Sequence, residues 1–335
     1  TSTSDLVFNI NIYYMNIDNV YFKPQLSKKN ITFNKSLPLT QKLINDLNMC
    51  LKKCFHDMIF SKIPYFLNKS VIGNNTKNNV PDSKLAALKL KAGNCLSYSY
   101  YLQNLLNKKG YKSYIIPAKP PTQYMKKGYS HISHVAVALP FNNGYIILDP
   151  SIYVKVPVIL QPNQTKLIDM TSPYNTRNQV WRFTLQNINL NNINYPNKIQ
   201  IPKNTPIVHG YVYSNDNLNQ PIDDFKYYIR EIQNPDLSIT KHTNHFDDRI
   251  FIASSTDDGD PLAYTSINLQ NLNLNGYNRN NYFSIINIKN IRTRNELLKW
   301  EGFSDKQAKD LGYKNPSKLK IEFLQILKNL GIILK

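Results

Sequence analysis

The sequence predicts an α+β protein with an N-terminal helical lobe, a helix packed on an antiparallel sheet or barrel, and a C-terminal α/β lobe. Apolar residues recur at helical spacing in the first third of the chain. After Gly110 the pattern changes to short segments rich in Tyr, Ile and Val, and helical spacing returns only near the end. The chain has 335 residues, 41% hydrophobic and 12% aromatic, which is enough to build a core and excludes wholesale disorder.

The first predicted helix covers about residues 40–66, where apolar side chains fall on one face. A short helical segment is predicted at 84–90, after a polar loop. A second long helix begins at Cys95, with Asn94 as its N-cap, and ends at Gly110. The apolar positions of the first helix are Leu43, Ile44, Leu47, Leu51, Cys54, Phe55, Met58 and Ile59.

Strands are predicted from residue 111 onward. The first three cover residues 111–117, 133–139 and 145–148, with a long polar loop at 119–130. Later strands are predicted at 154–160, 180–185, 207–213, 225–232 and 250–253, and helices at 294–300, 304–311 and 316–330. We therefore expect a helical lobe at 1–110 that ends in the Cys95 helix, a β lobe at 111–215, and an α/β lobe at 216–335.

The net charge of +19 invites a nucleic-acid interpretation, but most of the basic residues are Lys scattered over the whole length. We expect no specific nucleic-acid partner. No apolar stretch is long enough to cross a bilayer, and the first thirty residues lack a secretory pattern, so we expect neither a membrane span nor a leader. The three cysteines form no disulfide framework, which favours a reducing, cytoplasmic location.

Cys95 is the first candidate for chemistry. It lies in the first turn of its predicted helix, where unpaired backbone N–H groups and the helix dipole favour an anion. The thiolate is the nucleophilic form of cysteine, so this position suits a reactive thiol. A base and an acid that orients the base are then needed.

The hairpin that follows offers both groups. Side chains alternate along a strand, so His134 shares one face with two small residues, Ala136 and Ala138, which leave room for a helix end. A four-residue loop at 140–143 would place His134 directly opposite Asp149, whereas an Asn-Gly turn would move the two apart along the strands. The pattern predicts a Cys95, His134 and Asp149 triad, with His134 as the base.

These residues resemble a known family. Gly93-Asn94-Cys95 opening a helix, His134 on a strand and Leu148-Asp149-Pro150 are similar to the transglutaminase-like cysteine superfamily, and most of all to the arylamine N-acetyltransferases. The resemblance implies acyl transfer through a thioester on Cys95, with no bound cofactor, acyl-CoA such as acetyl-CoA as co-substrate, and an amine or hydroxyl acceptor. The backbone N–H of Cys95 is a candidate oxyanion donor.

The sequence departs from that family on both sides of the motif. An Arg-Gly-Gly before the cysteine and an acidic residue after it are replaced by Lys91-Ala92-Gly93 and Ser97. The family's Val-Gly-Phe-Gly after the aspartate is replaced by Pro150-Ser151-Ile152-Tyr153, and Asp-Pro is closer to the transglutaminase and peptide-cleaving relatives. Two alternatives therefore stay open: hydrolysis or transamidation of peptide amides by the same triad, and a catalytically retired structural or binding protein.

Other polar and thiol groups have simpler interpretations. His131 lies in the loop before the strand and is a weaker candidate for the base. Cys50 and Cys54 lie four apart on one helix, without further ligands, and are interpreted as core residues. His242, His245, Asp247 and Asp248 lie in a polar, turn-like stretch. We expect no metal site.

Overall fold

The computed structural model describes residues 20–22, 25–61, 83–122, 132–172, 177–186, 193–194, 200–235, 239–241, 249–268, 273–277 and 284–287. Helices precede a set of mostly antiparallel strands, so the predicted α+β class is confirmed. The predicted helices at 294–330 and most of the predicted loop at 119–130 lie outside the described residues.

In the part of the chain that the structure describes, three helices come before the large sheet. They are α1 Gln41–Asp57, α2 Ser83–Leu85, which continues as a π-helical turn at Ala86–Leu90, and α3 Cys95–Lys108. A 3₁₀ turn at Pro150–Ile152 follows later. The side chain of Thr40 caps α1 by accepting a hydrogen bond from the backbone N–H of Leu43, at 3.2 Å.

Helix α1 is shorter than its apolar pattern predicted. Met58 is already extended (φ −94°, ψ 145°), and its N–H closes the helix by donating to the carbonyl of Cys54. The following residues, Ile59–Ser61, form a strand that pairs with a much later segment of the chain. Tertiary pairing thus overrides the helical spacing of Met58 and Ile59.

Twenty strands are described. They are β1 Val20–Phe22, β2 Gln25–Leu26, β3 Ile59–Ser61, β4 Ala92–Gly93, β5 Tyr114–Lys119, β6 His134–Phe141, β7 Gly144–Leu148, β8 Val158–Leu160, β9 Thr165–Asp169, β10 Gln179–Gln186, β11 Ile193–Asn194, β12 Gln200–Ile201, β13 Ile207–Ser214, β14 Asp223–Tyr228, β15 Ile232–Gln233, β16 Ile239–Lys241, β17 Arg249–Ser255, β18 Pro261–Asn268, β19 Asn273–Tyr277 and β20 Ser284–Asn287.

Two predicted strands are corrected by these bounds. The strand predicted at 154–160 begins only at Val158, because Tyr153 adopts a left-handed conformation (φ 59°) and Pro157 has no N–H for a ladder. The strand predicted at 225–232 is two strands, β14 and β15, separated by Ile229–Glu231.

The large sheet has eight antiparallel strands in the order β8, β7, β6, β5, β14, β13, β10, β9. Its edge strands β8 and β9 follow each other in the chain, which brings the two edges together in a nearly closed barrel. Helix α3 packs on β6, where Ala136 and Ala138 are buried, and α1 packs on α3. The predicted helix on an antiparallel sheet or barrel is therefore confirmed.

Aromatic side chains fill part of the sheet's inner face. Phe225 lies 5.1 Å from Trp181 and 5.0 Å from Phe183, measured between ring centroids, and all three are fully buried. Gly210 lies directly across from Phe225, and a Cβ at Gly210 would come within 2.0 Å of the Phe225 ring. The glycine therefore provides the space that this ring occupies.

A second sheet has six strands in the order β20, β19, β18, β17, β3, β4. It joins β3 from the N-terminal third to β17 from the C-terminal third, and in the large sheet β14 lies between β5 and β13. Both sheets thus combine strands from more than one of the segments 1–110, 111–215 and 216–335. The division into three lobes stays a prediction.

Candidate active site

Cys95 is the first residue of α3, as the sequence predicts. The side chain of Asn94 caps the helix by accepting hydrogen bonds from the backbone N–H groups of Leu96 (3.1 Å) and Ser97 (3.3 Å). The thiol therefore lies at the positive end of the helix dipole. Cys95 is 6% exposed.

Ser97, which stands where the resembled family has an acidic residue, has a structural contact here. Its hydroxyl donates a 3.0 Å hydrogen bond to the backbone carbonyl of Ser83, and both residues are buried. The bond ties the start of α2 to the first turn of α3. It fixes the helix end that carries Cys95.

His134 is the first residue of β6 and is buried. It lies directly across from Ala118 of β5, and Ala118 lies across from Tyr227 of β14. Residues that face each other in antiparallel strands project from the same side of a sheet. The side chains of His134, Ala118 and Tyr227 therefore form one row across three strands, with the smallest in the middle.

Asp149 follows the end of β7, and the hairpin that carries it differs from the predicted one. Phe141 pairs with Gly144, so the loop has two residues and not four. Phe141 is fully buried, which extends β6 beyond Leu139 and shortens the loop. The four-residue alternative, in which His134 would lie directly opposite Asp149, is therefore not the one observed: with Val137 opposite Leu148, Asp149 comes level with Ala136.

The two side chains nevertheless meet. A shift of two positions along a strand keeps a side chain on the same face. The His134 Nε2 atom lies 2.8 Å from Asp149 Oδ2, and both side chains are buried. Cys95 acts on the same ring, because its side chain helps to raise the pKa of His134. The structure thus brings the three predicted residues together, with the imidazole in the middle.

Two further side chains hold Asp149. The Tyr227 hydroxyl donates a 2.8 Å hydrogen bond to Oδ2, and the Ser151 hydroxyl donates a 3.0 Å hydrogen bond to Oδ1. Sequence reasoning missed both residues. Tyr227 is distant in the chain and carries no local signal, whereas the Asp-Pro-Ser spacing of Ser151 is a local pattern that could have been recognised.

The electrostatic balance at His134 favours its charged form. Burial lowers the pKa of His134, but the charge and hydrogen bond of Asp149, together with those of Cys95, outweigh burial and raise this pKa from 6.5 to about 10. The imidazole therefore holds a proton at neutral pH.

Cys95 also has apolar neighbours. Cys95 belongs to a small buried cluster with Leu96, Ile115, Val135 and Ile232. Ile232 of β15 pairs with Leu26 of β2, and Leu26 packs against the same cluster. The site thus combines a charged His and Asp pair with an apolar environment at the nucleophile.

Hydrogen bonds of Arg230 fix the two-stranded ribbon of β2 and β15 in place. The buried guanidinium of Arg230 donates hydrogen bonds to the carbonyls of Ser27 (2.8 Å) and Lys28 (2.9 Å), to the side chain of Asn30, and to the hydroxyl of Thr205 (3.0 Å). The N-terminal segment is thereby fixed close to the Cys95 cluster.

The other two cysteines lie in a different environment. Cys50 and Cys54 are buried on α1, and all three cysteines are free. Burial raises the pKa of Cys50 to about 11 and that of Cys54 well above its ordinary value. Both are therefore neutral thiols in the core at physiological pH.

The other candidate site residues named from the sequence lie only partly within the described residues. His131 and the stretch from His242 to Asp248 lie outside the described residues. Within the described ranges, no group of three or more His, Cys, Asp or Glu side chains could hold a metal ion. None of the helices in the described part of the chain is long and apolar enough to cross a membrane.

Comparison with known proteins finds similarity in structure only. No protein-family model and no curated protein matches the chain. Among solved structures, it is similar to the arylamine N-acetyltransferase of Mycobacterium smegmatis, with 12% identity, 87% of this chain and 92% of that chain covered, and a TM-score of 0.42. The NAT3 arylamine N-acetyltransferase of Bacillus cereus, described as having a unique Cys-His-Glu triad, gives 14% identity, 78% and 91% coverage, and a TM-score of 0.47.

A third similar structure is the arylamine N-acetyltransferase of Mycobacterium marinum in complex with CoA, with 11% identity, 86% and 96% coverage, and a TM-score of 0.42. These structures represent the family that the motif around Cys95 resembles. Identities this low do not carry an activity over to this chain. Its chemistry has to be inferred from its own residues.

Proposed function

We propose that this protein is a cysteine acyltransferase that forms a thioester on Cys95 and passes the acyl group to an amine or hydroxyl acceptor. The observation that carries the proposal is the position of His134, which bonds Asp149 Oδ2 at 2.8 Å and whose pKa is raised by both Asp149 and Cys95. A nucleophile, a base and a group that orients the base are what covalent acyl transfer requires.

The first half-reaction loads the enzyme. The Cys95 thiolate attacks the carbonyl carbon of a thioester donor, and the backbone N–H of Cys95 supports the oxyanion that forms. When the tetrahedral intermediate collapses, the bond between the carbonyl carbon and the donor sulfur breaks. The departing thiolate takes the proton that His134 holds, and the acyl group stays on Cys95 Sγ.

The second half-reaction unloads it. The neutral His134 ring accepts a proton from the amine or hydroxyl acceptor while that group attacks the thioester carbon. The bond from the carbonyl carbon to Cys95 Sγ then breaks, the product leaves, and the thiolate and the imidazolium are restored. Asp149 fixes the orientation of the ring throughout, and Tyr227 fixes Asp149.

For the donor we propose an acyl-CoA. The resemblance of the motif points to this class, and one of the similar structures is a complex with CoA. The apolar cluster beside Cys95 suits an aliphatic acyl group, which has no hydrogen bonds to satisfy. The three free cysteines suit a reducing compartment, and we propose a cytoplasmic enzyme.

Intact-mass spectrometry tests the proposal. Wild type, Cys95→Ala and the control variant Cys50→Ala are incubated with acetyl-CoA and a series of longer acyl-CoAs. We expect a mass gain of one acyl group in wild type and Cys50→Ala, none in Cys95→Ala, and loss of the gain when an arylamine is added.

Two outcomes would contradict it. An acyl adduct on Cys95→Ala would place the acyl group elsewhere. No adduct with any donor, while Cys95 still reacts rapidly with iodoacetamide, would reject acyl-CoA. The same triad would then be assigned to hydrolysis or transamidation of peptide amides, the chemistry of the relatives that share the Asp-Pro pair.

A further inference from the structure

We propose that Ser151 is a positioning residue that locks the Asp149 carboxylate in the orientation in which it bonds His134. This inference rests on the proposed function, because it assigns Ser151 a part in the same site. Ser151 belongs to the stretch Pro150-Ser151-Ile152-Tyr153, in which this chain departs from the family that it resembles. It is thus a feature of this chain's own site.

The contact itself is direct and buried. The Ser151 hydroxyl donates a 3.0 Å hydrogen bond to Asp149 Oδ1, and both residues are 1% exposed. Asp149 occupies the N-cap position of the Pro150–Ile152 turn, yet its side chain makes no capping hydrogen bond. The carboxylate therefore does not cap the backbone of its own turn, and the Ser151 hydroxyl holds Oδ1, the oxygen that does not bond His134.

The Ser151 hydroxyl restricts the rotation of the Asp149 carboxylate. The terminal torsion of an Asp side chain has a broad energy profile, so the carboxylate can turn about its Cβ–Cγ bond unless both oxygens are held. Oδ2 receives the hydrogen bonds of His134 and Tyr227. A turn that releases Oδ1 also moves Oδ2 away from His134 Nε2. The bond from Ser151 opposes this turn from the opposite side of the group.

The backbone around Ser151 is rigid enough for that task. Pro150 fixes φ at the first position of the turn. The N–H of Tyr153 donates to the carbonyl of Pro150, and the N–H of Val154 donates to the carbonyl of Asp149, both at 3.1 Å. Tyr153 closes the turn in a left-handed conformation. The hydroxyl is thus presented by a preorganised turn, as a supporting residue requires.

The test compares Ser151→Ala with Ser113→Ala, a matched control. Ser113 is a buried serine in the segment before β5, and its hydroxyl has no hydrogen-bond partner among the described residues. Two readouts need no acyl donor: the rate at which iodoacetamide alkylates Cys95 at pH 7, and the pKa of His134 from NMR titration of its ring protons. Thermal unfolding monitors the fold of each variant.

We expect Ser151→Ala to slow alkylation of Cys95 by about 10-fold, the order of magnitude for losing one hydrogen bond to a charged group. The pKa of His134 should fall at the same time, because its bond to Asp149 is no longer held in line. Ser113→Ala should leave both readouts at the wild-type value. Ser151→Thr keeps the hydroxyl and should restore most of the alkylation rate.

A wild-type alkylation rate and a wild-type His134 pKa in folded Ser151→Ala would overturn the inference. If Ser151→Ala does not fold, Ser151→Cys serves in its place, because it fills the position of the hydroxyl with a group that is only a weak donor. Its readout is the His134 titration alone, since it adds a thiol, and an unchanged pKa would again overturn the inference.

The two proposals fail separately. A fall in alkylation rate and in His134 pKa, without acylation by any acyl-CoA in wild type, would reject the proposed donor and keep the role of Ser151. Acylation of Cys95 in wild type and at an equal rate in Ser151→Ala, with unchanged pKa, would keep the acyltransferase and reject the role of Ser151.

Discussion

The hydrogen bond from Tyr227 to Asp149 can be tested by removing a single atom. Tyr227→Phe deletes the hydroxyl, whose oxygen lies 2.8 Å from Asp149 Oδ2. The ring stays, and with it the edge contact to Phe225, at 5.8 Å between centroids and 80° between planes. The substitution therefore removes the hydrogen bond to Asp149 and keeps the ring that packs against Phe225.

The cost follows from the burial of both partners. Asp149 and Tyr227 are each 1% exposed, so water does not replace the lost donor. A hydrogen bond to a charged group contributes about 1.5–3 kcal/mol to stability. We expect the free energy of unfolding of Tyr227→Phe to fall by about this amount, which is roughly a 10- to 150-fold change in the folding equilibrium constant.

Urea unfolding of four proteins measures the interaction: wild type, Tyr227→Phe, Asp149→Ala and the double variant. In the Asp149→Ala background Tyr227→Phe should cost far less, because the acceptor is already gone. An equal cost of Tyr227→Phe in both backgrounds would refute the reasoning. The hydroxyl would then stabilise the fold through another contact.

Three further predictions use other features of the site and core. The pKa of His134 is raised to about 10, so its contribution to stability is present below pH 6.5 and is lost as the pH rises through 10. Urea unfolding across this interval should show a fall in the free energy of unfolding of wild type that His134→Gln lacks. Equal pH dependence of the two proteins would contradict the assignment. Iodoacetamide followed by peptide mass mapping should label Cys95 much faster than Cys50 or Cys54, because burial raises the pKa of both core thiols; equal labelling of all three would remove the case for an activated Cys95. Gly210→Ala would place a Cβ 2.0 Å from the Phe225 ring and should destabilise the fold by roughly 1–3 kcal/mol in thermal unfolding. The double variant Gly210→Ala/Phe225→Leu should recover part of this loss. If Phe225→Leu does not reduce the loss, the clash with the Phe225 ring is not its cause.

The parts of the site that sequence could predict are those encoded by neighbouring residues. Asn94 directly precedes Cys95, and an Asn before a run of helix-forming residues is a known start signal. The structure confirms both the cap and the first residue of α3. Likewise, the strand that carries His134 begins at that residue, close to the predicted start.

The pairing of strands that lie far apart in the chain could not be predicted from the sequence. Helical spacing extended through Met58 and Ile59, but Ile59–Ser61 pair with β17, far along the chain, and the helix stops at Asp57. Tyr227 reaches Asp149 only because β14 lies next to β5. Nothing near Tyr227 in the sequence specifies that neighbour, since strand order depends on the whole sheet.

The predicted meeting of His134 and Asp149 does not depend on whether the hairpin loop has two or four residues, and strand geometry explains why. Shortening the loop from four residues to two moves Asp149 by two positions relative to His134. Side chains repeat with a period of two along a strand, so this difference in loop length displaces a side chain along the strand and leaves it on the same face. A bulge of one residue would have placed Asp149 on the opposite face.

A small residue lies between His134 and Tyr227 in the large sheet. Ala118 lies across from both, so these two large side chains project from one face of the sheet with only a methyl group between them. A larger residue at this position would fill the space in which Tyr227 and His134 both reach Asp149 Oδ2. The site therefore depends on Ala118, although Ala118 makes none of the hydrogen bonds of the site. This position has to be small because of the order of the strands.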